Sequence, residues 1–94
     1  MPPLGIEVSE RFKRETRTLP EDQLDQLDQA LRLLPAAFGQ PHRHAGLGIR
    51  RLRRSYFEFR LGRDQRVVFR LDGSTAILQM VGDHDAVRRF LNNL

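Results

Sequence analysis

Four residues in the second half of this 94-residue chain have the types that phosphodiester chemistry requires: Glu58, Arg60, Arg66 and His84. Cutting RNA without a metal takes a base for the ribose 2′-hydroxyl proton, fixed positive charge around the pentavalent phosphorus, and an acid for the leaving oxygen. Glu58 and His84 suit the proton transfers. Arg60 and Arg66 suit the phosphate, because a guanidinium is a planar fork matched to two phosphate oxygens. Each assignment has a plainer alternative. Glu58 with its arginines also reads as a surface salt-bridge cluster, and His84 as a surface or helix-capping histidine.

The strands that must carry these residues are legible from parity. Tyr56 to Leu61 alternates strictly, so Phe57, Phe59 and Leu61 face one way while Tyr56, Glu58 and Arg60 face the other. Gly62-Arg63-Asp64 reads as a short hairpin loop and Gln65 to Leu71 as the returning strand. That register puts Arg60 opposite Arg66, Phe59 opposite Val67 and Phe57 opposite Phe69. Like charges facing each other across a strand pair are unfavourable, and an anion between them relieves the repulsion. Asp72-Gly73 predicts a two-residue turn, after which Ser74 to Val81 returns with Ala76, Leu78 and Met80 on the phenylalanine side and Gln79 beside Arg66.

Upstream, Gly5 to Val8 reads as a short strand and Ser9 as the cap of a helix reaching about Thr18, with Phe12 and Leu19 as its apolar contacts. Pro20 suits the start of a second helix, with Glu21 and Asp22 at the positive end of its dipole. Leu24, Leu27, Leu31 and Leu34 recur at helical spacing, flanked by Ala30 and Leu33, and Pro35 is expected to end or kink the helix. The two helices form an antiparallel hairpin over the phenylalanine face. Gly39 to Gly48 is a loop by composition, and Ile49 to Leu52 starts the main sheet with Arg50, Arg51, Arg53 and Arg54 crowded at its end. Beyond Gly82, Asp83 or Asp85 caps a C-terminal helix that packs through Val87, Phe90, Leu91 and Leu94.

Net charge is +4, unevenly spread. Residues 1–41 hold five basic and seven acidic side chains, which gives −2; residues 42–94 hold eleven and five, which gives +6. Fifteen of the sixteen basic residues are arginine. Arginine clustering in the sheet half indicates an anionic partner, either nucleic acid or an acidic protein. The absence of cysteine excludes thiol catalysis, disulfides and thiolate metal sites, and suits a reducing compartment. No glycine-rich phosphate loop is present. His42 and His44 lack a nearby carboxylate, so no metal and no cofactor are expected. No apolar run is long enough to span a bilayer, and the N-terminus does not read as a signal peptide, so one cytoplasmic domain over residues 1–94 is expected.

The segments Tyr-Phe-Glu-Phe-Arg-Leu-Gly-Arg-Asp-Gln-Arg-Val-Val-Phe (56–69) and Leu-Gln-Met-Val-Gly-Asp-His-Asp (78–85), with a terminal helix, resemble the RelE/ParE superfamily of type II toxin–antitoxin toxins. The likeness covers nearly the whole chain. It implies an α+β fold in which an N-terminal helical hairpin packs on a twisted antiparallel sheet with a short C-terminal helix. It implies a toxin that cuts mRNA in the ribosome and is neutralised by a cognate antitoxin. By position, Arg66 matches the arginine that binds the scissile phosphate, Arg60 a basic strand residue that contacts it, and His84 a general acid or phosphate ligand. Glu58 stands where some members carry lysine. Arg50, Arg51, Arg53, Arg54, Arg63 and Arg70 are then candidates for contacts to RNA. The strand lysines of the nucleases are absent and Phe90 lies near where they often have a tyrosine. The alternative is therefore the ParE-like branch, which inhibits DNA gyrase without cleaving RNA.

Overall fold

A computed structural model describes residues 4–40 and 46–94. Its order is β1 (Gly5–Val8), α1 (Glu10–Thr16), α2 (Glu21–Ala37), β2 (Arg50–Arg53), β3 (Tyr56–Leu61), β4 (Gln65–Asp72), β5 (Thr75–Gly82) and α3 (His84–Asn92). The sheet runs β1-β5-β4-β3-β2. Four strands are mutually antiparallel, and β1 joins the far edge parallel to β5, so the sheet is mixed. None of the helices described is long and apolar enough to cross a membrane.

The helices start where their caps dictate. Ser9 has extended backbone and its hydroxyl accepts the Phe12 amide at 3.1 Å, satisfying one orphan donor of α1. Asp83 does the same for α3, accepting the Ala86 amide at 2.8 Å. Pro35 does not end α2. It lies in the last turn, the helix continues to Ala37, and the Phe38 amide still reaches the Leu34 carbonyl at 3.0 Å. A proline so close to a C-terminus removes one helical bond while little helix remains to be disrupted.

Phe59, Leu61, Val67, Phe69, Ala76 and Leu78 form the floor of the main core, under Phe12, Leu27, Ala30, Leu34 and Ala37 from the helices. The buried stripe of α2 lies further along than the leucine spacing implies, because Leu24 and Leu33 are exposed. Phe38 anchors the end of α2 to the sheet, edge-on to Phe57 and Phe69 at 5.2 and 6.0 Å between ring centres.

The β3–β4 register is the expected one, with Arg60 opposite Arg66 and Phe57 opposite Phe69. The β4–β5 register is not. Asp72 pairs with Thr75, so the turn is Gly73-Ser74, with Gly73 at φ +60. A bulge then follows, in which Val68 faces Met80 while the adjacent Phe69 faces Leu78, leaving Gln79 unpaired. One extra residue inverts every later side chain, because strand parity is two. Met80 therefore leaves the phenylalanine side and joins Val68 and Val87 in a second core beneath α3. Gly82, rather than Gln79, stands opposite Arg66. Leu94, expected to pack, is 55% exposed.

Candidate functional site

The face of the sheet away from α1 and α2 is shared between α3 and an open cavity of about 490 Å³ lined by Gly48, Ile49, Arg50, Glu58, Arg60, Arg66 and His84. All four residues singled out from the sequence meet there. Strand parity brings Glu58, Arg60 and Arg66 to one face, and the turn from β5 into α3 adds His84 at the rim.

Glu58 is only 6% exposed. It lies directly opposite Arg50 on β2 and diagonal to Arg66 on β4. Its Oε2 is 3.2 Å from Nη2 of Arg50 and 3.7 Å from Nε of Arg66. A carboxylate enclosed this far has to be paired, and two guanidinium groups share one of its oxygens. The geometry thus makes Glu58 an anchor for two arginines, with its engaged oxygen unavailable to a substrate hydroxyl. Arg66 is half-buried, and its Nη1 also donates to the Gln65 carbonyl at 3.2 Å. Arg60 is exposed and has no ion-pair partner among the described residues. Among the described residues, the lining holds three guanidinium groups against one carboxylate, an excess of positive charge before His84 is counted.

His84 is the first residue of α3 and is exposed, with Nε2 3.4 Å from Nη2 of Arg88 one turn along. Gly82 makes this position reachable: a Cβ there would stand 2.7 Å from the Ala86 Cβ, so the first turn of α3 sits directly on the end of β5.

Of the six arginines expected to contact RNA, only Arg50 lines this cavity. Arg63 lines an adjoining one of about 510 Å³ with Asp64, Arg66, Asp83, His84 and Asp85. Arg51 and Arg53 have structural uses: Nε of Arg51 donates to the Arg54 carbonyl at 2.6 Å, and Nη1 of Arg53 to the Leu91 carbonyl at 2.9 Å, near the C-terminus of α3. Arg54 takes φ +49 in the turn between β2 and β3. Arg70 is half-buried on β4, two residues beyond Val68 and away from the cavity. His42 and His44 lie outside the described residues. Sequence reasoning missed Gly48, whose place beside Arg60 depends on the chain folding back, and the pairing of Arg50 with Glu58.

No protein-family model matches the sequence, and no curated protein matches it. Solved structures do match in shape. The RelB–RelE antitoxin–toxin complex from Methanococcus jannaschii aligns with a TM-score of 0.72 at 13% identity, over 89% of this chain and 96% of the matched one. The DinJ–YafQ toxin–antitoxin complex of E. coli aligns at 0.71 and 16% identity, over 92% and 98%. YafQ from E. coli strain BL21(DE3) aligns at 0.61 and 17%, over 89% and 97%. The helical hairpin, the bulged sheet and the C-terminal helix carrying His84 thus compose the RelE/YafQ fold, the architecture that the sequence resemblance implies.

Proposed function

We propose that this chain is the toxin of a type II toxin–antitoxin pair and acts as a ribosome-dependent endoribonuclease that cuts mRNA without a metal. The observation that carries the reading is the convergence of Arg60, Arg66 and His84 on one open cavity, with Glu58 holding Arg66 in place. Arg60 and Arg66 bind the scissile phosphate and offset the charge that builds on its oxygens as the 2′-oxygen attacks phosphorus. The 2′-hydroxyl gives up its proton to solvent as its oxygen bonds phosphorus, the bond from phosphorus to the 5′-oxygen breaks to leave a 2′,3′-cyclic phosphate, and the imidazolium form of His84 delivers the proton that the departing oxygen needs. Glu58 is a positioning residue in this scheme.

The small part of the chain that surrounds the site supports dependence on the ribosome. Arg60 and His84 are exposed, and a surface this open cannot by itself hold a flexible strand in line for attack. A larger assembly that presents the mRNA supplies that order. Two of the matched structures are toxin–antitoxin complexes, RelB–RelE and DinJ–YafQ. An acidic or amphipathic antitoxin is accordingly the expected partner here, and the cytoplasm the expected site of action.

Primer extension on a reporter mRNA after pulse expression tests the proposal. Discrete in-frame cuts are expected, and they should vanish in Arg66→Ala and His84→Ala variants that remain folded. Intact mRNA with induction of the DNA-damage response would instead select a gyrase inhibitor. Full toxicity of both variants would remove this cavity from consideration.

A further inference from the structure

Gly48 lies on the cavity wall at φ +70, immediately before Ile49 and β2. A Cβ built there would stand 2.5 Å from Nε of Arg60 and 3.2 Å from both Cζ and Nη2. The space a side chain would occupy is filled by the Arg60 guanidinium. Arg66 has a carboxylate to hold it; Arg60 has no ion-pair partner among the described residues. A long side chain with no partner samples many rotamers unless packing restricts it. The bare Cα of Gly48 is the surface that packs against this one.

We propose that Gly48 is a positioning residue of the anion site, its missing side chain being the slot in which Arg60 lies, so that the loop entering β2 sets where the second cation stands. The inference rests on the phosphate reading of the cavity. The guanidinium is the mobile end of a long side chain, so an added methyl displaces it more readily than it displaces backbone. The cation moved is the one without an ionic partner, which leaves an incoming phosphate with Arg66 alone in its intended position.

The test is the affinity of the full chain for a labelled single-stranded 2′-O-methyl RNA, which cannot be cleaved, measured across a salt series. Gly48→Ala should weaken binding about tenfold, the scale of losing one charge-assisted hydrogen bond. It should also flatten the plot of log affinity against log salt by about 0.7, the increment for one single-strand phosphate contact. Gly73→Ala is the control for left-handed backbone strain, because Gly73 has φ +60 and nothing within 4 Å of its missing Cβ. It should bind as wild type with an unchanged slope. Gly48→Ala added to Arg60→Ala should weaken binding no further. Wild-type affinity in Gly48→Ala, or an equal loss whether or not Arg60 is present, would overturn the assignment while leaving the phosphate site standing. A wild-type chain that binds no RNA, or an Arg66→Ala variant that binds as well, would remove the phosphate reading and this inference together.

Discussion

Glu58 and His84 are carboxylate and imidazole within one cavity, yet their surroundings assign them different work. Glu58→Gln keeps the shape of the side chain and removes the charge that anchors Arg66 and Arg50. Its expected outcome is divided: RNA binding at low salt is as tight as wild type or tighter, because the cavity loses the one carboxylate among its described lining residues, whereas cleavage slows on the order of a hundredfold as Arg66 loses its position. Weaker binding with undiminished cleavage would contradict the anchoring role. His84→Ala should slow cleavage by about 10² to 10⁴, the usual contribution of a positioned proton donor. Because His84 is exposed, its unfolding free energy should stay within about 0.5 kcal/mol of wild type. Single-turnover cleavage and urea titration separate the two effects.

At the level of elements, α1 completes an edge that β1 leaves unfinished. β1 pairs with β5 only as far as Val8 opposite Leu78. Beyond it the Ser9 hydroxyl donates to the Gln79 carbonyl at 3.1 Å, and the Glu15 carboxylate accepts the Val81 amide at 3.1 Å, so side chains take over where backbone pairing stops. Glu15 also accepts Nε of Arg11 at 3.2 Å, and the Arg11 guanidinium lies 5.5 Å from the centre of the Phe90 ring on α3. Phe90 in turn packs edge-on to Tyr56 at 5.8 Å. Removing Glu15 strands a partly buried amide, and Glu15→Ala should cost about 1–3 kcal/mol. The exposed pair of Glu10 with Lys13 makes the comparison, since Glu10→Ala should cost no more than about 0.5 kcal/mol. Equal midpoints for the two variants in urea would show that Val81 finds another partner.

For the molecule as a whole, the aromatic floor holds the two layers together. Phe69 is completely buried and contacts Phe38, Phe57 and Phe59 with ring centres 5.5 to 6.2 Å away. Phe69→Ala should cost about 3–5 kcal/mol. For a domain of ordinary stability, about 5–15 kcal/mol, that is enough to populate the unfolded state, and near-ultraviolet circular dichroism at 37 °C would register it. RNA binding should fall steeply with salt, because the attraction comes from arginines clustered in residues 42–94 while the helical half is net acidic. A salt-independent affinity would be incompatible with a phosphate-directed surface.

Most of the pairing that builds the site was readable from residue order. Alternation from Tyr56 to Leu61 and a loop of Gly62-Arg63-Asp64 determine that Arg60 faces Arg66, because parity and loop length together leave one register. The cap at Ser9 was likewise local, a side chain accepting an amide three residues ahead, whereas of the two candidates Asp83 and Asp85 the folded chain selects Asp83. Residue order does not disclose the bulge at Gln79, since one strand cannot reveal a mismatch with its neighbour, and strict alternation therefore places Met80 on the wrong face. Nor does it disclose that Glu58 is enclosed between Arg50 and Arg66, that Arg51 and Arg53 bond to carbonyls, or that Gly48 lies against Arg60. Those are contacts between segments brought together only by the folded chain, and tertiary packing alone decides which of many arginines are left to meet an anion.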